Sequence, residues 1–347
     1  MKRKTITALI VLVIALLFFR EAAAWARFDW GAFWKTSRRI RVTPVVFAVV
    51  LIYLGFFLRA LRWKVLLRPI KPARLLPLLQ TTIIGFAALA VLGRTAELVR
   101  PYLISREERV TMSSQLAIWT LERFFDLAAA AILIAAAILF SPELGGLPYM
   151  GQFRRASWLA GGLMVVIVSA MVVLWQFRLK LAFKQKRSAG TYRRRLMLGL
   201  ERGAHSFSEG LKGLRSPGAF ASAAALSLLM WMAIALAYFA VVRACPPPLV
   251  AMTLPAVLLL MGFSLVGSLV QLPGGGASQL LVIAALSNVF AVPVELAVVC
   301  GILLWLATYM APVPAGLVLL RKEHFSLASI TRASTEMTAP QSASEAP

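Results

Sequence analysis

Gly93–Asp126 reads GRTAELVRPYLISREERVTMSSQLAIWTLERFFD, and its charges decide how the rest of the chain is placed. Arg94, Glu97 and Arg100 come at three-residue spacing. Glu122, Arg123 and Asp126 follow as a second tight group. Apolar runs flank the stretch, Leu75–Leu92 before it and Leu127–Phe140 after it. A charged side chain deep in a bilayer costs about 2.5–3.5 kcal/mol on insertion scales, so ionisable groups between such runs read as a functional site. The competing reading makes Arg94–Arg109 a solvated loop.

Working outward, the 347-residue chain is 60% hydrophobic, above the roughly 45–50% of soluble domains. Uncharged runs at Ala219–Val242 and Leu249–Val270, and another at Ser157–Phe177, exceed the ~18 residues needed to cross a bilayer. Their unbroken apolarity argues against a membrane β-barrel, whose strands alternate apolar and polar residues. The fold class is therefore all-α: a polytopic helical membrane protein of about six to eight spans.

The formal net charge of +23 would suggest nucleic acid in a soluble protein. Here the cations lie between the spans, and no basic-aromatic module or zinc spacing accompanies them. No nucleic-acid partner is expected. The positive-inside rule and attraction to anionic headgroups account for the charge. Cys245 and Cys300 have no metal or redox spacing. His205 and His324 lie in basic stretches, so neither a metal site nor a cofactor is expected.

Met1–Arg20 pairs a basic start with an apolar run. The small residues Ala22–Ala26 allow a signal-peptide reading, but Arg20 and Glu21 interrupt the approach, and an uncleaved first helix is preferred. Aromatic residues alternate with charges over Glu21–Thr43, which places that segment at the interface. Pro44–Leu61 is the second span. The cations from Arg59 to Arg74 then form a block without acids that reads as cytoplasmic.

If Leu75–Leu92 crossed fully, the loop Arg178–Arg215, with eleven Lys or Arg against two Glu, would lie outside. The conflict vanishes if Leu75–Leu92 enters and returns to the same side. Gln80, Thr81, Thr82, Gly85 and Pro77 make it weak enough to do so. Irregular backbone at membrane depth is tolerated only where it is buried in protein or lines a wet cavity, so such a hairpin implies a cavity. On the next helix Glu122 and Asp126 share a face. That face is expected to turn inward against Arg94 or Arg100, either as a binding site or as an ion-pair network that holds the hairpin.

Near the end, QLPGGG (Gln271–Gly276) separates Leu249–Val270 from Ala277–Phe290, which at fourteen residues makes only about 21 Å of helix. A helix restarting after Pro273, Gly274, Gly275 and Gly276 exposes N–H groups that favour anions. A plain interhelical turn is the alternative. Two broken or re-entrant pairs, one entering from each side, suggest an inverted repeat of the kind secondary transporters use. Val294–Leu320 is the last span, and Arg321 and Lys322 put the C-terminus in the cytoplasm. Residues 1–323 thus form the membrane domain, with 178–215 a basic cytoplasmic loop, and 324–347 form a disordered tail.

GRTAELVRPYLI, LERFFDL and SLVQLPGGGASQ, together with Arg62-Trp63-Lys64, resemble the flippase-like integral membrane proteins, the transmembrane region of lysylphosphatidylglycerol synthetase/flippase. The likeness runs from about Ile6 to Leu320. The chain departs from the family pattern at Gly93, where Pro is common, at Ala96, where Gly is common, and at Gln279-Leu280, where an acidic residue often follows the glycines. No aminoacyl-transferring domain follows the last span, so lysyl transfer is not expected. The resemblance implies passage of a polar lipid headgroup across a bacterial inner membrane. Arg94, Arg100 and Arg123 would receive phosphate. Glu97, Glu122 and Asp126 would orient them or bind a cationic moiety, and the segment Pro273–Gly276 with Gln279 would give a second contact. The expected partners are membrane lipids with anionic headgroups. Two other functions stay open: a scaffold for a lipid-modifying enzyme, with 178–215 as docking surface, and an intramembrane lipid-modifying enzyme, for which no nucleophile–histidine pair is visible.

Overall fold

The computed structural model describes residues 28–159, 161–162, 216–269 and 273–322, without the side chains of Arg94, Thr95, Pro273 and Lys322. All regular structure among them is helical. We number the helices α1 (Trp30–Ser37), α2 (Val42–Leu67), α3 (Leu75–Leu92), α4 (Val99–Glu107), α5 (Met112–Phe140), α6 (150–159), α7 (Pro217–Ala244), α8 (Leu254–Ser268), α9 (Gly276–Asn288), α10 (Val294–Leu304) and α11 (Pro312–Lys322). Among the described residues, five stretches are long and apolar enough to cross a membrane: α2, α3, α5, α7 and the continuous Val294–Arg321. The expected span at Ser157–Phe177, the loop Arg178–Arg215 and the tail from 324 fall mainly or wholly outside the described residues.

Side-chain caps start several helices where the first N–H groups lack partners. Asp29 accepts from the Ala32 amide at 2.9 Å, and Ser216 from the Ala219 amide at 3.0 Å ahead of Pro217. α2 and α7 pair along most of their lengths. They run antiparallel: the Arg41 amide bonds the Ala244 carbonyl at one end, and Arg62 reaches Ser227 toward the other. This fixes two ends of the bundle. The end holding Lys64, Arg68, Lys71, Arg74, Arg106 and Arg109 is called the basic end below. At 26 residues α2 is about 39 Å long, several ångströms more than a bilayer's hydrocarbon core.

The first re-entrant pair is α3 and α4. α3 leaves the basic end, the chain reverses through a 3-10 turn at Gly93–Ala96, and α4 returns alongside. Gly93 sits at φ 66°, a backbone open chiefly to glycine. Two contacts fix the return. Arg100 lies against Gly85 halfway along α3, and Glu108 meets Lys71 at the start, its carbonyl accepting from Lys71 Nζ at 2.7 Å. α3 thus has the length of a span while the chain comes back to its own side.

The turn is not inside Leu75–Leu92, as the sequence suggested. Pro77 occupies the first helical turn, where no N–H bond is required. Thr81 and Thr82 donate to the Pro77 and Leu78 carbonyls, so their polarity is absorbed within the helix. Gly85 makes room for Arg100 and does not break the helix. Likewise Leu249–Val270 is not one long span. A 3-10 turn at Leu249–Ala251 precedes α8, whose fifteen residues begin at the Thr253–Pro255 start signal. The second span is longer than Pro44–Leu61 and carries Arg59 and Arg62 inside the helix.

The second pair, α8 and α9, enters from the other end, directly after α7. The two helices close on each other at Gly267, where a methyl group would lie 2.6 Å from Ser278 Cα. Their connecting turn, Pro273–Gly275, touches the first turn, Gly93–Ala96. Val294–Lys322 then runs back to the basic end, antiparallel to α3, with Gly316 against Ala87. A π-helical stretch, Trp305–Met310, interrupts it. From this stretch Trp305 donates to the Gly274 carbonyl at 2.6 Å, and Tyr309 donates to the Leu89 carbonyl at 3.4 Å. One core cluster joins α2, α5 and α7 to the second pair. Another, around Trp63, Leu66, Ile104 and Ile118, closes the basic end.

Candidate functional site

Six charged side chains from three helices, α2, α4 and α5, converge near the basic end. Glu122 and Asp126, one turn apart on α5, face the same way, as their spacing dictates. Glu122 Oε1 accepts from Arg62 at 2.7 Å and from Arg59 and Arg100 at 3.0 Å, and Arg100 also grips Oε2 in a bidentate fork. Asp126 Oδ1 accepts from Arg62 at 2.7 Å, and Oδ2 accepts from Arg59 at 2.9 Å with Arg123 at 3.6 Å. Glu122 is fully buried, and Arg62 is only 1% exposed.

Burying charge costs several kcal/mol per ion and is tolerated only with good geometry and further hydrogen bonds. Both conditions hold here. Arg62 completes its donors with Ser227 Oγ at 2.6 Å. Arg100 stacks over Trp63 with Cζ 4.4 Å from the ring, and Arg59 lies 4.7 Å from the Phe86 ring, so each cation finds a π face where carboxylate is lacking. The Trp63 indole is itself held by Gln115 at 3.1 Å. Four guanidiniums meet two carboxylates, an excess of two positive charges within the cluster.

Above the cluster lies a cavity of about 260 Å³ between both re-entrant pairs, α2, α7 and the π-helical stretch. Arg59 and Arg123 line it, and among the described residues no carboxylate does. Ile52, Phe56, Leu89 and Met230 supply apolar wall. Polar groups come from Trp231, Tyr238, Ser264, Ser278 and Gln279. Arg123 Nε, Trp231 Nε1 and Gln279 Oε1 are buried and have no hydrogen-bond partner. Native interiors satisfy nearly all such atoms, so three on one cavity are positioned to bond water or a polar ligand that enters it.

The sequence-selected residues divide into four groups. Arg100, Glu122, Arg123 and Asp126 are together in the cluster. Gly274, Gly275, Gly276 and Gln279 belong to the second pair. Gly275 and Gln279 reach the cavity wall, while Gly274 presents its carbonyl to Trp305. Arg94 and Pro273 are placed by backbone alone, in the two touching turns. Glu97 is half-buried and lies outside the six-charge cluster, in which Glu122 and Asp126 orient Arg59, Arg62, Arg100 and Arg123. The sequence reading missed Arg59, Arg62 and Trp231. Arg59 and Arg62 are three residues apart on a helix that continues to Leu67, a spacing that puts both on one face, but they were read as part of the cytoplasmic block of cations that runs to Arg74. Trp231 carried no signal beyond its place in an apolar run.

Arg100, Glu122, Arg123 and Asp126 of the cluster, and the two touching turns, lie in the three segments that carried the family likeness, and Arg62 lies in the Arg62-Trp63-Lys64 feature quoted with them. A family model described as the lysylphosphatidylglycerol synthase TM region matches residues 5–316. No curated protein matches the chain. With nearly its whole length covered by that match, and its helices arranged to cross a membrane, the chain belongs to the lysylphosphatidylglycerol synthase TM region family.

Proposed function

We propose that this protein translocates a lipid, passing the headgroup through the cavity between the two re-entrant pairs while the acyl chains stay in the surrounding hydrocarbon. One observation carries this reading: unpaired, buried polar atoms and two arginines line a cavity in a membrane-spanning bundle. The volume, near the lower end of small-molecule pockets, suits a headgroup without its chains. Short re-entrant helices meeting inside a bundle are how membrane transporters present polar sites at depth. We infer from the positive-inside rule that the basic end, where Val294–Lys322 finishes, faces the cytoplasm from a bacterial inner membrane. The chemistry at the site is binding and charge balance, not bond cleavage.

The test is reconstitution. Purified protein is placed in liposomes with acyl-labelled fluorescent phospholipids, and dithionite quenching of the label reports movement between leaflets. Quenching beyond the outer-leaflet half is the expected result. Quenching no greater than in protein-free liposomes, for every lipid offered, would sink the reading.

Glu122, Asp126 and Arg62 support a second role. They are buried and mutually satisfied, as in an ion-pair lattice that holds helices together. That lattice would serve a scaffold for a lipid-modifying enzyme equally well. It leaves the unpaired atoms on the cavity wall unexplained.

A further inference from the structure

Resting on the translocation reading, we propose that the cavity selects a net-negative phosphodiester headgroup bearing hydroxyls and rejects headgroups that carry an ammonium group. The charge accounting of the wall points there. An ammonium needs acceptor oxygens, preferably ionised ones. Every carboxylate oxygen of the cluster is already engaged: Glu122 Oε1 and Oε2 and Asp126 Oδ1 and Oδ2 each hold at least one guanidinium. None of them faces the cavity. Among the described residues, the ionised groups that do face it are Arg59 and Arg123, both positive. Arg59 binds both carboxylates through Nη1. Arg123 is the looser partner, 36% exposed and no nearer than 3.6 Å to a carboxylate, with Nε unpaired. Its fork is oriented by the carboxylates without being consumed by them. A guanidinium in that condition matches a phosphate, and a like charge opposite it is disfavoured.

The other unpaired atoms on the described cavity wall are neutral and of both kinds. Trp231 Nε1 donates and Gln279 Oε1 accepts. A phosphate uses the first beside Arg123, and an alcohol O–H fills the second. A polyol phosphodiester such as a glycerol headgroup presents both. An ethanolamine or lysyl headgroup presents its N–H donors with a positive charge that the wall does not balance.

The experiment uses full-length protein in liposomes with matched acyl-labelled lipids that differ only in headgroup: phosphatidylglycerol, phosphatidylethanolamine and lysyl-phosphatidylglycerol. Phosphatidylglycerol is expected to move at least about tenfold faster than either of the others, the scale of one charged hydrogen bond. Arg123→Glu is expected to invert the order, speeding the lysyl lipid relative to phosphatidylglycerol, an outcome that mere loosening of the fold does not produce. Gln279→Leu is expected to slow phosphatidylglycerol while leaving the salt dependence of its rate as in the unmodified protein. Equal rates for all three lipids, or a faster lysyl lipid in the unmodified protein, would overturn the selectivity while leaving translocation standing. No movement of any lipid would overturn both. Uptake of radiolabelled glycerol 3-phosphate without lipid movement would give the site to a free phosphoester and overturn the lipid assignment.

Discussion

Gly85 on α3 and Arg100 on α4 are in contact so close that a methyl group at Gly85 would lie 2.6 Å from Arg100 Cβ. The glycine sets the spacing of the first re-entrant pair, and that spacing lets Arg100 reach Glu122 across to α5. Gly85→Ala is expected to cost about 1–3 kcal/mol, as overpacking does, and to pull Arg100 off Glu122. Because the clash is with Cβ, Arg100→Ala should not relieve it, and Arg100→Gly should. Thermal unfolding in detergent, followed by tryptophan fluorescence, distinguishes the two double variants.

Glu122 and Arg123 are neighbours in sequence with opposite expected phenotypes. Glu122→Gln removes the shared counter-ion of three buried arginines, and breaking a buried pair costs about 3–5 kcal/mol. Arg123 is partly solvated, so Arg123→Gln should cost about 1 kcal/mol or less. Both are expected to slow lipid movement, but only the first should lower the unfolding temperature strongly. A marked stability loss in Arg123→Gln would make it a structural member of the lattice.

The adjacent glycines Gly274 and Gly275 separate two demands on backbone. Both have positive φ, 76° and 71°. Around Gly274 the space is open, whereas a Cβ on Gly275 would meet the Tyr309 ring at 2.8 Å. Asn adopts the left-handed region more readily than other side chains, so Gly274→Asn should fold and retain activity. Gly275→Asn should be destabilised, with partial recovery in the Tyr309→Ala background. Paired melting curves for the four proteins check this.

Lys71 and Glu108 close the open end of the first pair at 3.2 Å, with the lysine 43% exposed. Lys71→Ala is expected to change stability by about 1 kcal/mol or less. The difference should shrink further at high salt, which screens exposed pairs. A salt-independent loss would mean that the hydrogen bond to the Glu108 carbonyl, and not the ion pair, holds the end.

How much of this the sequence disclosed depended on the kind of signal. Long apolar runs announced the helices, and charge counting on the loops showed that one apolar segment had to turn back. The i, i+4 spacing of Glu122 and Asp126 set them on one face. Their partners were harder to see because a helix end is marked by capping and packing, not by the first cation. Arg59 was read as the start of a cytoplasmic block, although α2 carries on for two more turns past it. The location of the first hairpin turn was obscured for a similar reason. Thr81, Thr82 and Gly85 weaken a run on a hydropathy scale, but hydroxyls that bond back to their own helix and a glycine under a neighbouring side chain leave the helix intact. Trp231 and Gln279 acquire meaning only from three-dimensional proximity to Arg123.

The π-helical turn Trp305–Met310 has a mechanical consequence. A stretch wound more widely than its neighbours holds slack that a regular α-helix lacks. Trp305, at its first residue, fastens the second hairpin through Gly274, and Tyr309, near its last, fastens the first through Leu89. The two hairpins are therefore clipped to opposite ends of a single loosely coiled spring. Tightening that coil by one residue would change the angular offset between the clips, so the gap between the hairpins is geared to the pitch of one turn of backbone.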